Sequence, residues 1–250
     1  MNKDQKLTFS SFLKRNRLSP YTDKKKPVVF FGLYHVDLRK IDRHRSMLIM
    51  VWRGTDITLE GHLDKAISSY VDIKHVAISS FIENDLKNRD VKYKSIPLVG
   101  GDMSKYRSEV LGDEIYVYIP KSRYNFYGGD IVKKLKDRCE FKINVVDSCN
   151  EYSKADLYKI YKRCFCGLRL TPHDGVANQV VEMGLMGRIT IYNGKTPSSI
   201  PWTNSIDSIL ESIHQEASKI GTRQDSLAKD VKEFYTVKDD WLDTKYWDGF

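Results

Sequence analysis

Continuous apolar runs constrain this chain more than any other feature. Pro27 is followed by VVFFGLYH, and Ser46 opens SMLIMVW. Strands buried on both faces of a parallel sheet show runs of this kind. Further strands are expected over residues 74–78 and 93–97, with helices over residues 59–70 and from Ser79-Ser80 to Asn88. The polar DLRKIDRHR separates the first two runs. Pro97 and Gly100-Gly101 then punctuate the chain as a hinge, and the pattern resumes with strands expected over 114–119, 141–146, 167–170 and 189–192. Residues 153–164 read as an amphipathic helix, with Ser153 in the capping position and Asp156 at N3. Strands alternating with helices predict a parallel, doubly wound α/β sheet.

A chain of 250 residues holds one large domain or two smaller ones, each able to bury a core. No apolar run reaches the 18 or more residues of a membrane span, and MNKDQKLTFSSFLKRN lacks the apolar centre of a signal peptide. A cytoplasmic protein is therefore expected. Cys139, Cys149, Cys164 and Cys166 have no metal-site spacing and read as buried free thiols. The charge is uneven: residues 1–100 hold 19 Lys+Arg against 11 Asp+Glu, and the other 150 hold 22 against 22. Clusters such as Lys24-Lys25-Lys26 and Arg39-Lys40 suit either an anionic partner or a solvated rim.

The stretch that bears on function is LTPHDGVANQVVEMGLMGRITIYNG, residues 170–194. It reads as a strand end, a polar turn at Pro172-His173-Asp174-Gly175, a helix over residues 176–186 stopped by Gly187, and a strand. A loop opening onto a helix N-terminus gathers unpaired N–H groups and the positive end of the helix dipole, which suits a phosphate. Asp174 at the mouth and Glu182 eight residues on would lie roughly 12 Å apart along the axis, near the span from hexose to ribose in a nucleotide-sugar. The plainer alternative is that Asp174 caps the helix and Glu182 is a solvated side chain.

This stretch resembles the retaining GT-B glycosyltransferases of family 4. Thr171-Pro172-His173-Asp174-Gly175 is similar to their proline-containing strand end and acid-Gly pair, with Asp174 where glutamate is usual. Glu182-Met183-Gly184-Leu185-Met186-Gly187 is similar to their second acid and glycine-closed helix end. HVAISSFIENDLKN and KYKSIPLVGGDMSKY look like the close of the family's first domain and its linker. The resemblance covers residues 28–195. The family's first βα units and their glycine-rich loop are missing, as in the short glycosyltransferases carried by large viruses of algae, which would place the chain in a host cytoplasm.

The resemblance implies a GT-B architecture: two Rossmann-like doubly wound domains with a cleft between them. Residues 1–98 would form the reduced acceptor-side domain, 99–235 the nucleotide-sugar domain, and 236–250 a tail crossing back. It implies retaining transfer of a hexose from GDP-mannose, or next a UDP-hexose, to a glycan or glycoprotein. Asp174 would position the hexose and Glu182 would accept hydrogen bonds from the ribose hydroxyls. Arg53, in Arg53-Gly54-Thr55-Asp56, stands where the family has histidine, and either contacts the donor or pairs with a carboxylate; His35 and His62 are neighbouring alternatives. Lys121 and Arg123, in PKSRYNFYGGD, would meet the diphosphate, although Tyr127 stands where a lysine is usual. The N–H groups of Gly175, Val176 and Ala177 would assist, and Val146-Asp147-Ser148 would edge the base. No Asp-x-Asp occurs, so no metal and no cofactor are expected.

Trp241, Tyr246 and Trp247 crowd the tail; they read as an anchor in preference to a sugar-stacking stripe. Helical patterns precede them, one beginning at Asn204 or Ser205 and one over residues 226–235. A nucleic-acid-binding module would use the basic first hundred residues, but no RNP, zinc or helix-turn-helix pattern accompanies them, and no nucleic acid partner is expected. A dehydrogenase would need GxGxxG, which is absent. A nucleotide-sugar-binding protein without turnover is the remaining alternative, and a dimer is compatible with everything above.

Overall fold

The computed structural model describes residues 10–59, 61–69, 71–147 and 152–250. The chain divides into two compact units: Met1–Asp102 with Asp174–Val176 and Tyr235–Phe250, and Met103–His173 with Ala177–Phe234. Among the described residues no helix is long and apolar enough to cross a membrane.

The first unit runs α1 (Ser10–Arg15), β1 (Val28–Phe31), α2 (His35–Arg43), β2 (Leu48–Trp52), α3 (Thr55–Thr58), α4 (His62–Ile67), β3 (Ile73–Ala77), α5 (Ser80–Asn88) and β4 (Tyr93–Ser95). The strands are parallel in the order β1-β2-β3-β4. All five residues of β2 are buried, which is why its sequence shows no polar alternation. The polar segment after β1 is itself a helix, α2, and it turns Ile41 fully into the core. The helix expected over 59–70 is the shorter α4, whose N-cap Gly61 takes a left-handed φ of 73°, and the one-turn α3 lies before it.

Each crossover of this sheet steps to the same side. The first unit is therefore wound one way, which corrects the doubly wound expectation for this half. Apolar runs report that a strand is covered on both faces; they carry no information on strand order. Right-handed crossovers place the connecting helices on one face, so chain from elsewhere must complete the core. Phe12 of α1 meets Phe31 edge-on at 5.5 Å and stacks on Trp241 at 5.8 Å. Trp241 and Trp247 are buried in the same cluster, and the Trp247 indole N–H donates to the Trp241 carbonyl at 2.8 Å.

The second unit runs β5 (Glu114–Tyr118), α6 (Gly129–Lys136), β6 (Ile143–Val146), α7 (Lys154–Arg163), β7 (Cys164–Arg169), α8 (Asn178–Leu185), β8 (Ile189–Tyr192), β9 (Ser199–Ile200), α9 (Ile206–Ala217) and α10 (Asp225–Tyr235). All its strands are parallel, in the order β6-β5-β7-β8-β9. Ile115 and Val117 of β5 join Val132 and Leu135 of α6 and Ile209 and Ile213 of α9. Tyr116, between them in the strand, joins Leu157 and Tyr161 of α7 and Met183 of α8. This alternation gives helices on both faces, so the second unit is doubly wound. Ser153 and Asp156 form the full capping box that opens α7.

Arg188 is fully buried and fastens this unit. Its guanidinium donates to the carbonyls of Tyr161 and Cys164 at 3.2 Å each, Glu109 at 3.1 Å, Val110 at 2.7 Å, Lys162 at 3.2 Å, and Met186. Burial lowers its pKa to about 10, which leaves it charged at neutral pH.

Candidate functional site

Strand order in the second unit reverses between β5 and β7. From β5 the chain goes to β6 on one side and then returns past β5 to β7 on the other. Loops leaving the carboxyl ends of two such strands part in opposite directions and open a crevice, the usual place for a ligand in an open α/β sheet. The two loops here are the one after Tyr118, carrying Lys121 and Arg123, and the one after Arg169.

Glycines set how closely these loops approach. Gly128 has a φ of 73°, and a Cβ there would lie 2.7 Å from the Leu170 Cβ. A Cβ at Gly129 would fall 2.4 Å from the Tyr124 ring. Basic and aromatic side chains line the strand ends above them. The Arg123 guanidinium lies 4.3 Å from the Phe126 ring centroid and 5.9 Å from that of Tyr127. Arg169, the last residue of β7, places its guanidinium 4.5 Å from the Tyr127 centroid. Tyr127 is also held edge-on by Tyr118 at 5.3 Å, and Phe126 meets His173 at 5.1 Å. Lys121 pairs with Asp147 at 3.1 Å, so these two expected ligand contacts face each other. Ser148 lies outside the described residues, as does Cys149.

The stretch after β7 differs from its sequence reading in where the helix begins. α8 starts at Asn178, with Ala177 as N-cap and no side-chain cap. Asp174 therefore neither caps the helix nor lies on its axis, and the 12 Å estimate loses its basis. The chain from Asp174 to Val176 belongs to the first unit. Of the three expected N–H donors, Gly175 and Val176 precede the helix; Ala177 alone sits at its start. At the other end Gly187, with φ 85°, closes the helix by donating to the Gly184 carbonyl at 2.9 Å.

Glu182 is buried, not solvated. Its carboxylate accepts from the Lys154 ammonium and from the Tyr161 hydroxyl at 3.1 Å. Burial, followed by the neighbouring Tyr116 and Glu182 charges, holds the Tyr161 hydroxyl well above its ordinary pKa, so Tyr161 is a fixed donor. Lys154 remains largely exposed while its partner is covered. In the same helix the Gln179 amide donates to the Leu168 carbonyl at 3.1 Å, and its buried Oε1 and the Thr171 hydroxyl have no hydrogen-bond partner among the described residues.

In the first unit, the Asp174–Val176 segment rests on the turn after β2. The Ser79 hydroxyl donates to the Asp174 carbonyl at 3.4 Å. A Cβ at Gly175 would lie 1.9 Å from the Arg53 carbonyl oxygen. The backbones of Gly175 and Arg53 are thus in direct contact. The acid of Arg53-Gly54-Thr55-Asp56 is structural: the buried Asp56 carboxylate accepts from the N–H groups of Arg53 at 3.0 Å and Leu33 at 3.3 Å. Burial raises its pKa, and these hydrogen bonds only partly offset that. His62 is buried with Nδ1 at 2.9 Å from the Leu33 carbonyl, a core position; the His35 side chain lies outside what is described.

Sequence reasoning passed over Arg169, Lys154 and Tyr161. Arg169 had a partial signal, since it lies near the end of the strand expected just before the Thr171–Gly175 loop; that this strand stands at the reversal is a tertiary fact. Lys154 and Tyr161 are seven residues apart, two turns on one helix face, but their partner on α8 is a tertiary fact. Cys139, Cys164 and Cys166 are free thiols, and burial pushes Cys164 up to about 12. Among the described residues no group of three His, Cys, Asp or Glu side chains is placed to hold a metal ion.

No protein-family model matches this chain, and no curated protein does. Solved structures do. The chain is similar to TarM, with a TM-score of 0.59 at 9% identity over 99% of this chain and 58% of TarM. It is similar to the sucrose-phosphate synthase of Thermosynechococcus elongatus, with a TM-score of 0.53 at 11% identity over 94% of this chain and 75% of that one. Both are glycosyltransferases of the GT-B class. At such identities the likeness is one of fold. The chain spans 58% of the length of TarM.

Proposed function

We propose that the chain is a retaining glycosyltransferase that takes a hexose from a nucleotide-diphosphate sugar, without a metal ion, and gives it to a glycan or glycoprotein. One observation carries this reading: the strand reversal of a doubly wound unit, in a chain with GT-B structural neighbours, is edged by guanidinium and aromatic groups. Guanidinium groups match phosphate oxygens in charge and geometry, and the rings suit a base or sugar face.

In this reading Glu182 receives the ribose hydroxyls. They would displace the exposed Lys154 ammonium, while Tyr161 keeps the carboxylate oriented. Asp174 positions the hexose, and Arg53 serves the donor or holds a carboxylate. An acceptor hydroxyl attacks the anomeric carbon from the face the phosphate leaves. The new C–O bond forms as the anomeric bond to the β-phosphate oxygen breaks, and that oxygen takes the hydroxyl proton. GDP-mannose is the favoured donor and a UDP-hexose the next.

Calorimetric titration with GDP-mannose, UDP-glucose, UDP-galactose and UDP-N-acetylglucosamine, with and without Mn²⁺, tests the reading beside an Asp174→Asn/Glu182→Gln double variant. Micromolar binding of one donor without metal, lost in the variant, is expected. Failure of every donor to bind would overturn it.

A further inference from the structure

We infer that Arg169 and Arg123 together form the diphosphate clamp, with Tyr127 as the platform that aligns them. This rests on the donor reading above and names a residue that reading does not use. A nucleoside diphosphate carries more than one negative charge on adjacent phosphates, so a site that binds it without metal needs more than one cation nearby. Three basic side chains lie at the reversal among the described residues, and Lys121 faces Asp147 at 3.1 Å. The other two, Arg123 in the loop after β5 and Arg169 at the end of β7, flank the crevice from separate strands and lie within 6 Å of the same ring, that of Tyr127.

The platform explains why an aromatic residue suits this position. A guanidinium packed against a ring uses its face for the cation–π contact, and its N–H groups, which lie in the plane, remain directed to the side. Tyr127 is itself fixed by the edge contacts of Tyr118 from β5 and Phe126. The paired strands set Val117 opposite Leu168, so Tyr118 and Arg169 follow at the same level of the sheet. The ring therefore transmits the β5–β7 register to the guanidinium plane. Ordering a long arginine side chain before the ligand arrives lowers the entropy cost of binding.

The experiment is calorimetry of the full chain with GDP and UDP, each compared with its nucleoside, in wild type, Arg169→Met, Arg169→Lys, Arg123→Met and Lys133→Met. Arg169→Met and Arg123→Met should each weaken binding of the recognised diphosphate about tenfold or more, the scale of one charge-assisted hydrogen bond, and leave nucleoside binding unchanged. Arg169→Lys should fall between wild type and Arg169→Met, and Lys133→Met, at an exposed lysine of α6, should match wild type. Wild-type affinity for the diphosphate in Arg169→Met would overturn the clamp while leaving the donor reading intact. A parallel loss of nucleoside binding in Arg169→Met would also overturn it, by showing a general structural role. If wild type bound neither diphosphate, the donor reading itself would fall, and the clamp with it.

Discussion

On the donor reading, Glu182 would be a buried group that is already committed and still serves a ligand. Its carboxylate is covered, yet one partner is the exposed Lys154 ammonium, and exposed partners hold weakly. Glu182→Ala is expected to weaken donor binding about 10–100-fold, as loss of hydrogen bonds to a charged acceptor does, whereas Asp174→Asn is expected chiefly to lower turnover. Calorimetry and steady-state kinetics on the two variants separate these outcomes. Gly175 makes a different kind of demand. A methyl group there would lie within bonding range of the Arg53 carbonyl, so Gly175→Ala must move backbone, at a cost of roughly 1–3 kcal/mol. A lower urea midpoint at unchanged slope is the expected sign. The sequence marked both residues. It gave Gly175 a phosphate-binding role because the helix was expected to begin two residues too early, and nothing local revealed the contact with Arg53.

At the level of elements, the second unit depends on groups that close helix ends from a distance. Arg188 supplies donors to carbonyls at the C-termini of α7 and α8 and to the 109–110 segment, groups that cannot find partners within their own helices. Arg188→Met is expected to leave several of them buried and unpaired, lowering stability by roughly 3 kcal/mol or more. Denaturant unfolding measures the loss, and amide exchange should localise it to the α7 and α8 ends. A single arginine before a strand offers no sequence sign of this role. The capping box of α7, by contrast, was legible because all its parts lie within four residues. Glu114 is a third case: burial alone would raise its pKa, but hydrogen bonds from Lys142, Asn144 and Arg163 bring it down to about 2.

Across the whole molecule, α1 and the tail over residues 241–250 both serve the first unit's core. Lys94 of β4 donates to the Tyr246 carbonyl at 2.7 Å and lies 3.7 Å from the Tyr246 ring centroid and 4.9 Å from that of Trp247. Lys94→Ala is expected to loosen the tail, read as faster amide exchange over residues 241–250 and earlier cleavage there by protease. The same core sets a pH dependence. Burial lowers the His75 pKa to about 4, and its Nδ1 accepts the Trp52 indole N–H at 3.0 Å. An unfolded chain takes up a proton at His75 below about pH 6.5, and the folded one does so only near 4. Stability held above pH 6.5 is therefore lost as pH falls toward 4, by up to roughly 3 kcal/mol from this group. Buried His44 acts in the same direction, whereas Asp56, whose pKa is raised, acts in the opposite one. Comparing unfolding free energies at pH 7 and 4.5 in wild type and His75→Gln isolates the term, and the variant should show the shallower fall. By itself the sequence determined the parallel α/β class, most strand positions, the cap of α7 and the glycine stop at Gly187, because burial on two faces and local capping leave their mark within a few residues. Only the tertiary structure decided that the first sheet is wound one way, that Glu182 meets Lys154 and Tyr161, and that Arg169 lies over Tyr127. Those depend on which strands become neighbours, and residues far apart in sequence share no periodicity that would announce the pairing.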